Sequence, residues 1–403
     1  MTESIAETGA GAVQEARVAG ERPARLVALD VLRGIAILGT LGTNVWILTN
    51  PEGLIGYIDD LGSAADGGWM WTERILQQLA QGKFLGLLTI MFGIGLAIQQ
   101  ASAVRRGRAW PGSYPLRAGL LFLDGVLNFV LVAEFDVLMG YAVTGLVVAF
   151  VLATGERAQR RWLAIAASVH LAILTLIALA MAFAAPQDSA PGSASREPLD
   201  PNPYADGSFW DLVVFRLENA LTFRVEAVFV FAMSVALFLA GARLYREGVF
   251  GPDGARIRRR LMLFGAIAAP IDLLVGVFGG DLVLLTRYGT APFVAFGILA
   301  VVAEFYVRRP RLGFAGRRLT EIGRTALSCY ILQNLVGSAL CYGWGLGLAA
   351  RVSPDARVPF TIAIYLLVTL IIATGAHLWL RRFERGPVEW AWHSCYRALA
   401  RER

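Results

Sequence analysis

A run of apolar residues near the start of the chain constrains the fold most. It begins around Asp30 and Arg33, which are three residues apart and therefore share one helix face. After Arg33 the sequence continues without charge to Thr49, and Asn44 is its one strongly polar residue. Val31 to Thr49 is long enough, as a helix, to cross about 30 Å of hydrocarbon. Arg33 either reaches the lipid headgroups or has a partner inside a site.

Similar apolar segments recur along the chain. Hydrophobic residues make up 56% of its 403 residues and charged residues 17%, a composition unlike that of soluble globular proteins. The segments lie near residues 31–49, 83–100, 116–133, 135–154, 162–185, 225–245, 260–279, 285–306, 322–345 and 359–380. This pattern predicts an all-α fold, a polytopic membrane helix bundle of about ten transmembrane helices.

The distribution of arginine predicts the orientation. Most of the 37 basic residues lie in alternate connections and near the two termini, and Lys83 is the only lysine. Because cytoplasmic loops carry an excess of Arg and Lys, both termini are expected in the cytoplasm and the bundle in the plasma membrane. The same rule accounts for the net charge of +6 without a nucleic-acid partner.

The connections divide the chain into a bundle with two tails. Residues 1–24 are rich in Ala, Gly and Glu and are predicted to be a disordered cytoplasmic tail, followed by a transmembrane bundle over 25–385. Outer loops are expected near 50–82 and 186–220. The first contains a stretch that predicts an amphipathic helix on the outer surface. The second is rich in Pro, Ser and Asp, which predicts an irregular loop that covers a cavity.

The tail over residues 386–403 is predicted to be a short amphipathic helix on the cytoplasmic face. Gly386 ends the last apolar segment, and Pro387 suits the first position of a helix. Trp390 and Trp392 suit the membrane interface.

Carboxylates inside apolar segments are candidate catalytic or coupling groups, because burying them is costly. Asp124 and Asn128 are four residues apart and share a helix face. Asp272 follows Pro270, which removes a helical hydrogen bond. Arg33 is the third candidate, and we expect it to pair with Asp124. Alternatively, these groups are structural ion pairs that hold the bundle together.

Other polar residues are candidates for substrate binding. The segment that follows Lys83 contains Gly86, Gly93 and Gly95, which allow close helix packing. The three cysteines and three histidines show no spacing typical of a metal site, and no cofactor is evident. The substrate-binding candidates are Asn44, Lys83, Asn128, Asp136, Arg324 and Gln333.

Six motifs together resemble the YeiB-like membrane protein family (domain of unknown function 418). They are LDVLRGIAILG with Asn44, GKFLGLLTIMFGIG, FDVLMGYA, FLAGARLYREG, IGRTALSCYILQN and RFERGPVEWAWH. They occur in family order from about residue 25 to 397. The family is distantly similar to membrane acyltransferases, so the resemblance implies a ten- or eleven-helix fold and an acyl donor such as acetyl-CoA.

Two positions depart from these relatives. Asn128 stands where a histidine is common in the family, and residues 50–82 lack the histidine on which the acyltransferases rely. Asparagine is not a general base near neutral pH, so Asp124 or Asp272 would take that role. Three functions stay open: an acyltransferase-like protein that modifies an envelope sugar or lipid, a transporter or flippase with buried carboxylates, and a non-catalytic scaffold or sensor.

Overall fold

The computed structural model describes residues 27–60, 68–183, 197–309 and 311–401, and within them it contains helices and no strand. The predicted tail over residues 1–24 lies outside the described residues. The helices of the first half are α1 (Val27–Leu48), α2 (Gly53–Asp59), α3 (Met70–Ala80), α4 (Lys83–Arg105), α5 (Tyr114–Leu131), α6 (Leu138–Leu152) and α7 (Glu156–Phe183). Those of the second half are α8 (Phe209–Glu218), α9 (Ala220–Phe229), α10 (Phe231–Arg246), α11 (Ala255–Phe278), α12 (Ala291–Arg308), α13 (Phe314–Arg324), α14 (Ala326–Cys341), α15 (Arg357–Leu380) and α16 (Pro387–Arg401).

The all-α prediction is confirmed, but fewer helices than expected meet the length of a membrane span. In the described part of the chain, seven spans are long and apolar enough, or eight if the bent pair α9 and α10 is one span. The fourth and ninth predicted segments correspond to α6 and α14, which are shorter apolar helices. The predicted number of about ten spans is reached only if α6 and α14, which have 15 and 16 residues, are also counted as spans.

Helix α1 lies at the centre of the bundle and contributes to both hydrophobic clusters of the core. Leu32 and Ala36 belong to the cluster built mainly from α4, α6, α10 and α12. Leu41 and Val45 belong to the cluster built mainly from α14 and α15. The first apolar run of the sequence therefore forms the element around which the two halves pack.

Glycine allows two helices to touch along their backbones. A Cβ on Gly93 of α4 would lie 2.0 Å from the Phe238 carbonyl oxygen of α10, and one on Gly241 would lie 2.1 Å from that of Ile90. Gly86 makes only ordinary contacts, and a Cβ on Gly95 would meet nothing within 4 Å. Of the three glycines singled out for packing, Gly93 is the one that close packing requires.

The bundle has two distinguishable ends. Arg246 at the end of α10 donates to Gln100 and Gln159, which lie at the end of α4 and the start of α7. Arg117 at the start of α5 donates to Gln99. We call this the arginine-rich end and the other, where α1 ends and α4 begins, the opposite end.

Both predicted outer loops contain helical segments. The amphipathic stretch is helical as α3, and a break at Gln81 and Gly82 separates it from α4. Residues 184–196 of the second loop lie outside the described residues. Its last part is not irregular, because Phe209–Glu218 is helical and Ser208 and Asp211 form a capping box at its start. The tail helix predicted from Pro387 is present as α16.

Candidate functional site

Two cavities enter the bundle, one from each end. The arginine-rich cavity has a volume of about 430 Å³ and the opposite cavity about 660 Å³. The polar and aromatic residues that line the arginine-rich cavity include Arg33, Gln99, Tyr114, Arg117, Arg324, Tyr330, Glu389 and Trp392. Those that line the opposite cavity include Asn44, Tyr57, Asp59, Gln81, Glu226, Arg287, Tyr288 and Tyr330.

Tyr330 and Val137 line both cavities. Tyr330 is 4% exposed, and its side chain lies against the backbone of Val137. Both residues therefore belong to the layer that lies between the two cavities.

The arginine-rich cavity suits an anionic group. Arg117 donates to Gln99 at 2.7 Å and lies 4.5 Å above the Tyr396 ring, whereas Arg324 donates to the Glu384 carbonyl oxygen at 3.0 Å. Among the described residues, neither guanidinium has a carboxylate within 4.0 Å. Guanidinium groups that are not neutralised form charge-assisted hydrogen bonds with phosphate or carboxylate.

Helix α16 forms one wall of that cavity. The Glu389 carboxylate accepts from the backbone N–H groups of Leu327 at 2.8 Å and Ser328 at 3.3 Å. It also accepts from the Ser328 hydroxyl at 2.5 Å. A carboxylate at the first turn of α14 satisfies N–H groups that the helix itself leaves free. The tail helix is therefore fixed to the start of α14.

A polar network lies in the opposite cavity around Arg287. Its guanidinium donates to Glu226 at 2.8 Å and to the Gln81 side-chain oxygen at 3.0 Å. The Tyr288 hydroxyl also donates to Glu226, at 2.8 Å. Arg224, two residues before Glu226 in the sequence, donates to the backbone carbonyl oxygen of Asp136 at 2.9 Å instead. The charge of Arg287 is thus matched by one carboxylate.

Asp136 lies next to the layer between the cavities, in the loop that joins α5 and α6. It lines a small cavity of about 60 Å³ together with Val137. Its carboxylate accepts from the Asn128 amide at 2.8 Å and from the Met139 backbone N–H at 3.2 Å. Burial raises the pKa of Asp136 to about 6, while these hydrogen bonds and the Arg224 charge oppose the rise. The carboxyl group therefore changes charge close to neutral pH.

Asp272 lies in a closed cluster, and neither it nor Lys83 is among the residues that line the two cavities. Its carboxylate pairs with Lys83, and the side chains are 0% and 8% exposed. Gln78 donates to it at 2.8 Å and Thr290 at 2.8 Å. Two residues predicted for separate roles are therefore ion-pair partners, an arrangement that favours a structural role.

The predicted contact between Arg33 and Asp124 is wrong. Arg33 pairs with Asp30 at 3.4 Å, in its own helix. The Asp124 Oδ2 atom is buried and has no hydrogen-bond partner among the described residues. The prediction rested on a similar distance of both residues from the cytoplasmic start of their segments, which does not specify which helix faces meet. Arg33 lines the arginine-rich cavity, and Asp124 lines neither cavity.

Asn44 and Gln333 belong to the wall shared by α1 and α14. The Asn44 amide donates to the Asn334 side-chain oxygen at 3.3 Å. Gln333 is fully buried, and neither of its side-chain polar atoms has a hydrogen-bond partner among the described residues. Gln333 does not line either cavity, whereas Asn44 lines the opposite one.

Sequence reasoning missed Arg287, Tyr330 and Glu389 as site residues. Arg287 was detectable, because it is a charged residue inside the eighth apolar segment. Tyr330 and Glu389 lie in motifs of the family resemblance, but nothing in their spacing indicates a cavity. In the described part of the chain no histidine lines either cavity, and no cluster of His, Cys, Asp and Glu has the composition of a metal site.

The described part of the chain is all-helical, with several apolar helices of the length and composition of membrane spans, as in polytopic membrane proteins. Residues 244–398 match the family described as "Protein of unknown function (DUF418)". Over 392 residues the chain is 27% identical to the uncharacterized protein YxaH of Bacillus subtilis (strain 168), covering 92% of this chain and 94% of that protein. It is 28% identical over 392 residues to the uncharacterized protein YeiB of Escherichia coli (strain K12), covering 91% and 95%. The resemblance to YeiB-like proteins that the motifs indicated is confirmed at this level of similarity.

Proposed function

We propose that this chain is an acyltransferase-like protein of the plasma membrane that modifies an envelope sugar or lipid. The observation that carries the proposal is that two cavities from opposite ends meet at Tyr330 and Val137. An acyl group carried on a donor at one end needs only to pass this layer to reach an acceptor at the other. The positive-inside rule predicts that the donor end faces the cytoplasm.

The donor in this proposal is an anionic thioester such as acetyl-CoA. Arg117 and Arg324 line the arginine-rich cavity without carboxylate partners among the described residues, which suits phosphate groups. The apolar side chains of Leu88, Met91 and Leu121 line the same cavity and suit an extended acyl-bearing arm.

Asp136 is the general base in this proposal, in place of Asp124 and Asp272. It lines neither of the two larger cavities, but together with Val137 it lines the small cavity beside them, and its pKa of about 6 lies near the pH at which it would work. The acceptor hydroxyl would attack the thioester carbonyl and give its proton to Asp136. The carbon–sulfur bond then breaks, and the thiol leaves with a proton.

This proposal predicts that the rate of acyl transfer depends on pH through the ionisation of Asp136. The protein in liposomes, given acetyl-CoA with a labelled acetyl group and an envelope lipid extract, should transfer label faster as pH rises through about 6, because the base must be ionised. Asp136→Asn should lower the rate by about 10²-fold or more. Asp124→Asn, which changes a carboxylate that lines none of the three cavities, is the matched control and should transfer normally.

Label that never appears on a lipid or sugar would overturn acyl transfer.

A second function has its own structural support, because α9 and α10 form a span bent by 46° and residues Thr286–Thr290 form a π-helical turn beside the opposite cavity. Broken helices of this kind are typical of transporters and flippases. Movement of an unmodified lipid between the leaflets, without chemical change, would favour that function.

A further inference from the structure

We infer that the opposite cavity takes its ligand sideways from the bilayer, and that the ligand is an amphiphile with an uncharged, hydroxyl-bearing head and a hydrocarbon tail. If the proposed acyl transfer holds, this amphiphile is the acceptor. The role of the ligand as an acceptor rests on that proposed function, whereas the binding site itself does not. Its structural basis is the different character of the two parts of the cavity wall.

One part of the wall is apolar and reaches the outer surface of the bundle. Val225 of α9 lines the cavity and is 63% exposed, and Ile58 of α2 lines it and is 56% exposed. Leu174 and Ile177 continue this wall on α7, in which Ala166 is the one buried residue. Apolar side chains that are exposed on helices of a membrane span face lipid, so the cavity is continuous with the hydrocarbon region on the side of α7 and α9.

The bend between α9 and α10 accounts for the opening. The two helices meet at 46° around Val230, so α9 does not continue the line of α10. Several α9 residues are strongly exposed, among them Leu221, Val225 and Val228. A straight span there would present a continuous face to its neighbours, and the bent one leaves the side of the cavity uncovered.

The other part of the wall is polar and is not positively charged. Arg287 is the one basic side chain that lines the cavity among the described residues, and Glu226 neutralises it at 2.8 Å. Asp59 adds a second carboxylate to the lining. An anionic head would meet no excess positive charge here, in contrast to the arginine-rich cavity. Asn44, Tyr57 and Gln81 provide hydrogen-bonding groups of the kind that recognise hydroxyls.

The test uses the full-length protein in phosphatidylcholine nanodiscs and a dodecyl maltoside that carries a diazirine near the end of its alkyl chain. Photolabelling should modify residues of α7 and α9 that line the cavity. Excess unlabelled dodecyl maltoside should suppress this labelling, and dodecyl phosphate, which has the same chain and an anionic head, should not.

Val225→Trp places a large side chain at the opening and should weaken the apparent affinity for the probe by about tenfold. Val228→Trp is the matched control, because Val228 lies on the same helix, is 78% exposed and does not line the cavity. Leu284→Trp, a second change at the cavity wall, guards against a folding defect specific to Val225→Trp.

Labelling spread evenly over the outer helices, or unchanged by both cavity-wall variants, would overturn the inference. Equal competition by dodecyl phosphate would overturn the assignment of an uncharged head. Photolabelling requires no donor, so specific labelling without acyl transfer would overturn the proposed function and support the binding site. Acyl transfer to a water-soluble sugar that Val225→Trp does not affect would support the proposed function and overturn the binding site.

Discussion

At the scale of single residues, the ion pair between Lys83 and Asp272 is the clearest structural assignment. The two charges come from α4 and α11, and almost no surface of either side chain is exposed. Gln78 and Thr290 complete the hydrogen bonds of the carboxylate. A buried pair adds little by itself, but removing one partner leaves an uncompensated charge in a medium that solvates it poorly.

Asp272→Asn should therefore destabilise the protein by roughly 3–5 kcal/mol, because Lys83 loses its counter-charge. Thermal unfolding in detergent, followed by size-exclusion profile, measures the loss. Lys83→Met combined with Asp272→Asn should recover part of it, since no buried charge is then left unpaired. Asp124→Asn should have a smaller effect, because no ion pair of Asp124 with a described residue is broken. A stable Asp272→Asn variant without function would instead assign Asp272 a chemical role.

At the scale of helices, the sequence specifies contacts through residues that have no side chain. Gly93 and Gly241 bring α4 and α10 together, and Gly34 and Gly323 do so for α1 and α13, where a Cβ on Gly323 would lie 1.8 Å from the Asp30 carbonyl oxygen. Such approaches are typical of helix pairs in membranes, where packing rather than the hydrophobic effect drives association. They position the elements that carry Arg33 and Arg324.

Gly93→Ala and Gly95→Ala form a matched pair in α4. Gly93→Ala should destabilise the protein by about 1–3 kcal/mol, because the new methyl group overlaps the α10 backbone. Gly95→Ala adds its methyl group to open space and should be neutral or stabilising by up to about 1 kcal/mol, the difference in helix propensity. Melting temperatures of the two purified variants decide this, and equal values would contradict the close contact between α4 and α10.

At the scale of the whole molecule, the two ends differ in charge and in what their cavities suit. The arginine-rich cavity contains guanidinium groups without carboxylate partners among the described residues, and the opposite cavity contains a neutralised one. This asymmetry gives the proposed reaction its direction, provided that the arginine-rich end faces the cytoplasm, as the positive-inside rule predicts.

Cys395 offers a direct test of that orientation. It is exposed on α16, whereas Cys329 and Cys341 are buried. A membrane-impermeant maleimide should fail to label Cys395 in intact cells and should label it after permeabilisation, and Cys395→Ser should abolish the signal. In that background, Asp281→Cys, at an exposed site beyond the other end of α11, should be labelled in intact cells. The opposite pattern would reverse the topology.

The sequence by itself determined the class of fold and the resemblance to YeiB-like proteins. Long apolar segments can satisfy their backbone hydrogen bonds in lipid only as helices, so an all-α bundle follows from hydropathy. The start of the tail helix at Pro387 also followed from local chemistry. These features depend on residues close together in the chain.

Only the tertiary structure decided which polar groups meet. Arg33 pairs with Asp30 and not with Asp124, and Lys83 pairs with Asp272 across 189 positions of sequence that carry no signal of the pairing. The cavities and their shared wall at Tyr330 and Val137 arise where several helices leave space between them. Helix rotation and crossing angle set such space, and hydropathy along one chain specifies neither because most faces of these helices are apolar.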